Sequence, residues 1–208
     1  KAGELLKQGI IGDVKVARAW TAEPRSVMKP VPDGEPPAGV KYDRWLGPAP
    51  ERPFNPHRFH VNWRMFRDYG NGDLGDDGAH DLDIARWGLG VTTHPSRIAA
   101  LGGKYFFDDD QQFPDTQNVL FEYEPDTEGG RPRQLIFEQR IWAPYFEQGY
   151  ENGDAFYGTD GLMLLGKHGG WKLFGPRNKL REQMSGSPDL RAHHDDFFRR
   201  IREGGTPH

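Results

Sequence analysis

Asp76, His80, Asp83 and Trp87 recur at steps of four, three and four residues, the spacing that brings side chains together on one face of an α-helix. An ionised carboxylate one turn before an imidazole favours the protonated ring and holds it in one orientation. Such a pair suits a group that takes a proton from a substrate hydroxyl and gives it back. The same residue types allow plainer roles. Asp73 or Asp76 could cap the helix. Asp76, His80 and Asp83 could each offer an atom to a metal, but a site on one helix needs ligands from elsewhere. No second ligand motif accompanies them, because His194 and Asp195 in "HHDD" read better as the cap of the last helix. No metal site is therefore assigned.

The same stretch opens with a literal GxGxxG, at Gly70, Gly72 and Gly75. A dinucleotide loop works because a buried strand delivers a tight glycine turn to a helix N-terminus, where the pyrophosphate sits. The residues before Gly70 are "NWRMFRDY", which is not a Val/Ile-rich strand, and no βαβ unit surrounds the match. The glycines read as a turn that admits positive φ ahead of the helix, not as a phosphate cradle.

These residues need elements to place them. The pattern predicts a helix of about four turns from Asp76, ended by Gly88 or Gly90, with a core-facing stripe of Leu82, Ala85 or Arg86, and Leu89. Upstream, "KAGELLKQGIIGDVKVARAW" reads as the end of a helix running into a half-buried strand over Asp13 to Trp20. Thr21 to His60 shows little periodicity, much proline and the aromatic stretch "YDRWLGPAP"; connections of that length are usually functional. After Gly90 the period becomes two, in "SRIAALGGKYFF", "TQNVLFEYE", "RQLIFEQRIW" and shorter pieces near "AFYGTDGLMLLG" and "GWKLFG", with "PDTEGGRPR" as a hairpin connection. "PDLRAHHDDFFRRIREGG" is a final amphipathic helix carrying Leu190, Phe197, Phe198 and Ile201. The expected fold is α+β: a large, open, mainly antiparallel sheet with helices on one face. Both ends of the 208 residues read as cuts through a larger protein.

Composition narrows the function classes. A net charge of −4 without a long basic block argues against nucleic acid and acidic membrane surfaces as partners. No apolar run reaches the ~18 residues that a membrane-spanning helix needs. The absence of cysteine removes disulfides, thiol catalysis and thiolate zinc sites together. It leaves cytoplasm and periplasm equally open.

Four segments, "GELLKQGIIGDVKVARAW", "YDRWLGPAP", "NWRMFRDYGNGDLGDDGAHDLDIARWGLG" and "DTQNVLFEY", together resemble the glucose–fructose oxidoreductase / inositol dehydrogenase / MocA-like (Gfo/Idh/MocA) family over nearly the whole chain. Asp76, Gly78, His80 and Asp83 fill the family pattern G-x-G-x-L-x-D-x-G-x-H-x-x-D in register. The resemblance implies a two-domain enzyme that uses NAD or NADP. Residues 1–208 would be its substrate-binding and oligomerisation domain, truncated at both ends, with the N-terminal dinucleotide-binding domain and its active-site lysine absent. It implies a sugar, polyol or inositol as substrate, Asp76 as the carboxylate that binds it and His80 as the proton shuttle. Trp63 and Arg64 would approach the cofactor, a role that suits the planar, multiply donating guanidinium. The sheet would form a homo-oligomer. One departure is "GNG" in place of the family's glycine triplet. Two other functions stay open: a glycosidase that oxidises its substrate transiently, eliminates and returns the hydride, and a non-catalytic sugar-binding or assembly module.

Overall fold

The computed structural model describes residues 1–125, 129–167, 169–186 and 189–205. A short helix α1 (Ala2–Lys7) leads into strand β1 (Val14–Thr21). A long connection follows, with α2 (Tyr42–Leu46), a 3-10 turn at Asn62–Met65 and α3 (Gly72–Gly75), and it ends in α4 (Asp77–Leu89). Then come β2 (Arg97–Gly103), β3 (Thr116–Tyr123), β4 (Arg133–Arg140), β5 (Asn152–Gly158), β6 (Leu162–Gly166), β7 (Gly170–Gly175), β8 (Lys179–Met184) and α5 (Leu190–Glu203).

All eight strands join one open sheet in the order β2-β3-β4-β1-β5-β6-β7-β8. Every neighbouring pair is antiparallel except β1 with β4, which run parallel from Val16↔Gln134 to Thr21↔Gln139. Strand β1 is thus central, although it comes first in the chain. Its alternation gives each face a different task. Ala17, Ala19 and Thr21 are fully buried under α4, while Arg18 and Trp20 point to the other face. Two alanines in the middle of the sheet let the helix lie close. Glycine on the helix serves the same end: a Cβ at Gly88 would stand 2.1 Å from the Phe156 ring, so any larger residue would have to lift α4 off β5.

The core under α4 is built from Ala85 and Leu89 of the helix against Leu135, Phe137, Phe156 and Met163 of the sheet, all at most 1% exposed. Helix α4 ends as the pattern predicts, with Gly90 in the left-handed region at φ 73°. Its start differs slightly: Asp76 is the cap residue, not part of the first turn, and its side chain makes no capping hydrogen bond. The buried stripe also differs, since Asp77, Gly78 and Asp81 belong to it and Leu82 is only partly buried.

Two further differences have simple causes. Strand β8 escapes the pattern because "KLREQM" is exposed along its whole length at the sheet edge and has no apolar alternation. Helix α5 is capped by Asp189, which accepts from Ala192 N at 2.9 Å; His194 and Asp195 lie inside the helix instead of capping it. The expected hairpin turn in "PDTEGGRPR" falls partly outside the described residues, but the strands flanking it pair antiparallel up to Tyr123↔Arg133. Among the described residues no helix is long and apolar enough to cross a membrane.

Candidate active site

The C-terminal end of β1, the first turn of α4 and the end of β6 meet at one end of the central strands, and charged side chains from these segments and the residues that follow β1 and β6 converge there. Arg25 is the hub. Its Nε donates to Asp73 Oδ1 at 2.9 Å, its Nη1 to Glu23 at 3.1 Å and its Nη2 to Asp77, with Asp76 3.7 Å away. Lys167, just past β6, donates to the other oxygen of Asp77. The carboxylates of Asp73, Asp76 and Asp77 offer oxygens within 4.8 Å of one another, a spacing that could hold a cation. The cation they share is the Arg25 guanidinium, with Lys167 also on Asp77 and Arg64 also on Asp76, so side chains of the chain itself already face each carboxylate.

Burial shapes the charges here. Asp73 is 1% exposed, and burial pushes its carboxyl up to about 6 in spite of Arg25. Asp81, fully buried, accepts from Thr21 Oγ1 at 2.8 Å; burial outweighs that bond and carries it to about 7. Asp154 on β5 is raised well above the carboxylate range by burial and then by the nearby Asp81. Asp77 goes the other way: burial raises it, but the hydrogen bond and charge of Lys167 hold it below the usual value. Two kinds of acid therefore stand side by side between α4 and β5. Asp77 is ionised and paired, while Asp81 and Asp154 favour the neutral form.

Two cavities flank the start of α4. One, of about 430 Å³, is lined by Trp63, Arg64, Arg67, Asn71, Gly75 and Asp76, among others. Within it Arg64 Nε donates to Asp76 at 2.9 Å, and the guanidinium lies 5.3 Å from the Trp63 ring. The other, of about 250 Å³, is lined by Glu23, Phe146, Tyr150, Glu151, Asn152 and Lys167. Asn152 is 5% exposed and its Oδ1 is buried without a hydrogen-bond partner.

The expected site residues are thus partly gathered. Trp63, Arg64 and Asp76 come together around one cavity. Asp76 pairs with Arg64 instead of contacting His80. His80 stands one turn further along the exposed face of α4, beside exposed Asp83 and Trp87, and makes no hydrogen bond or ion pair among the described residues. Its nitrogens are open to solvent and to a ligand. The GxGxxG loop offers no phosphate cradle. It follows a 3-10 turn and not a strand, and a Cβ at Gly70 would lie 2.6 Å from the Arg64 backbone, so that glycine is needed for chain-on-chain packing.

Sequence reasoning missed Arg25, Glu23, Asp77, Asp81, Asn152, Asp154 and Lys167. A signal for two of them was available: Asp77 and Asp81 continue, four residues apart, the stripe of Ala85 and Leu89 that faces the core. Charged residues at core-facing positions imply partners, because an unpaired buried charge is too costly to keep.

Comparison with known proteins bears on the fold as a whole. Residues 14–124, more than half of the chain, match the model of an oxidoreductase family described as a C-terminal alpha/beta domain. No curated protein sequence matches the chain. Among solved structures, levoglucosan dehydrogenase in complex with NADH and levoglucosan superposes with a TM-score of 0.63, at 17% identity over 98% of this chain and 53% of that one. An oxidoreductase from Agrobacterium radiobacter, solved with NAD⁺, L-tartaric acid and magnesium, gives 0.57 at 18% identity over 99% and 52%. The WlbA dehydrogenase from Bordetella pertussis, with NADH and UDP-GlcNAcA, gives 0.56 at 12% identity over 99% and 49%. The chain spans about half the length of each of these proteins, and at such identities the likeness is one of fold. Sequence pattern, sheet topology and family match agree: the chain belongs to the Gfo/Idh/MocA oxidoreductase family, and residues 14–124 carry the signature of its C-terminal domain.

Proposed function

We propose that these residues form the substrate side of an NAD(P)-dependent oxidoreductase acting on a hydroxyl or ketone of a sugar, polyol or inositol. The observation that carries this reading is the start of α4. There an unpartnered imidazole, His80, stands one turn from a carboxylate, Asp76, already oriented by Arg64 at 2.9 Å. On this reading Asp76 binds the substrate hydroxyl, and Arg64 fixes its rotamer. His80 takes the hydroxyl proton during oxidation and returns it during reduction. Glu23, Glu151, Asn152 and Lys167 add acceptors and a donor on the far side of the helix, chemistry that matches a ligand rich in hydroxyls. The ligands in the related structures (levoglucosan, UDP-GlcNAcA and L-tartaric acid) also bear hydroxyls and so support this class.

The residues present fit a nicotinamide group. Trp63 offers a ring face and Arg64 a planar fork of donors in the same cavity as Asp76. A nicotinamide bound there would supply the hydride acceptor. The described loops hold no dinucleotide cradle, so the bulk of NAD or NADP is assigned to a separate cofactor domain and the 208 residues alone should be inactive. The face of the sheet away from α4 exposes Leu101 (74%) and Leu120 (42%), which suits the burial of that face in a homo-oligomer.

The test is reduction of NAD⁺ or NADP⁺ by the full-length protein with a panel of sugars, polyols and inositols. Cofactor reduction with at least one of them is expected. No reduction across the panel, with the protein folded and cofactor bound, contradicts the reading.

A further inference from the structure

A third cavity, of about 450 Å³, shares Trp63 with the cavity described above but has no role of its own in that chemistry. It is lined by Trp45, Leu46, Pro50, Trp63, Asp68 and Tyr69, among others. Trp63, Asp68 and Tyr69 also line the cavity that contains Arg64 and Asp76, so the two cavities adjoin at these residues. Its volume lies within the ~300–1,000 Å³ typical of small-ligand sites.

The walls of this cavity are held firmly. The Trp45 ring is stacked on Tyr42 at 5.6 Å and 14°, and it is braced by Phe59 at 5.5 Å and Tyr69 at 5.1 Å. That aromatic packing fixes the indole while leaving it half-exposed to the cavity. Asp68, at the rim, is held by Arg52. Flat, half-exposed aromatic rings beside a fixed carboxylate match the two faces of a pyranose. Its axial C–H bonds pack on an aromatic ring, and its equatorial hydroxyls reach outward to acceptors. The Asp76 cavity, with its charged pair, suits the reacting ring; the adjoining Trp45 cavity suits a ring that is only held.

We infer that the Trp45 cavity is a subsite for a second pyranose ring, so that the site takes a disaccharide or glycoside in preference to a free monosaccharide. This rests on the carbohydrate reading of the Asp76 site and adds the size of the substrate to it.

The experiment measures equilibrium binding to the full-length protein by ligand-observed NMR, with glucose, cellobiose and maltose as probes, apart from turnover. The expected result is that at least one disaccharide binds about ten-fold tighter than glucose. Trp45→Ala should abolish that advantage and leave glucose affinity within about two-fold of the parent. Trp45→Phe, which keeps a ring in the aromatic cluster, should restore most of the advantage, and melting curves of both variants check the fold. Disaccharides that bind no better than glucose would overturn the proposal, as would an advantage that survives Trp45→Ala. So would a Trp45→Ala variant whose main loss is in NADH affinity, since the cavity would then belong to the cofactor. Failure of the dehydrogenase reading looks different: Trp45-dependent disaccharide binding with no sugar able to reduce NAD⁺ or NADP⁺ would leave the subsite standing alone.

Discussion

Helix α4 has two faces that treat the same chemistry in opposite ways. On the sheet side, Asp77 and Asp81 are buried, and each is tied to a neighbour: Asp77 to Arg25 and Lys167, Asp81 to Thr21. On the open side, Asp76 touches only arginines at the rim of a cavity, and His80 and Asp83 are exposed. The buried acids hold the helix to the sheet, while Asp76 opens on a cavity beside Arg64 and the His80 imidazole is exposed without a partner among the described residues. A titratable residue on a site helix is therefore not in itself a catalytic residue; the partner that it already has distinguishes the two cases. The contrast predicts that substitutions on the sheet side cost stability and that those on the open side cost activity.

The largest loss of stability should come from the packing that both faces depend on. Phe137→Ala, at a fully buried position beneath Gly78, should cost about 3–5 kcal/mol in urea unfolding. Arg25→Met should come close, at about 3 kcal/mol, because it leaves Asp73 and Asp77 buried with one fewer cation. A loss below about 0.5 kcal/mol would show that the Arg25 hub is ornamental to the fold, as most surface ion pairs are.

A pH profile sharpens the contrast further. Asp81 keeps its proton in the folded state up to about pH 7, whereas its usual value is 3.8. Its contribution to stability is complete below about pH 4 and falls as pH rises from there towards 7, by about 1.4 kcal/mol per unit, because folding must then keep a proton that the unfolded chain gives up. Asp81→Asn copies the neutral acid and can still accept from Thr21. It should flatten that fall and leave the variant more stable than the parent at pH 8. A parent and variant with parallel pH profiles would show that Asp81 is not the group responsible.

Much of this architecture is legible in the residues alone. Period-two segments after Gly90 mark the strands, and Gly90 marks the end of α4, because both signals are local. The parallel pairing of β1 with β4 is not legible: it follows from which strand fills the centre of the sheet, a contest settled by contacts across more than 100 residues. The site divides the same way. Asp76, His80, Trp63 and Arg64 stand out through short spacing and resemblance. Arg25 and Lys167 do not, since only the folded sheet brings the ends of β1 and β6 to the same turn of α4.

The smallest expected change in stability belongs to His80→Asn, within about 0.5 kcal/mol, because the imidazole is exposed and unpartnered. That makes it the most direct test of the central claim. In the full-length enzyme, with the sugar or polyol that best supports NAD(P)⁺ reduction, turnover of His80→Asn should fall by about 10²-fold or more while its melting temperature and cofactor affinity match the parent. Turnover equal to the parent's would contradict the account, and would move the proton shuttle off this helix.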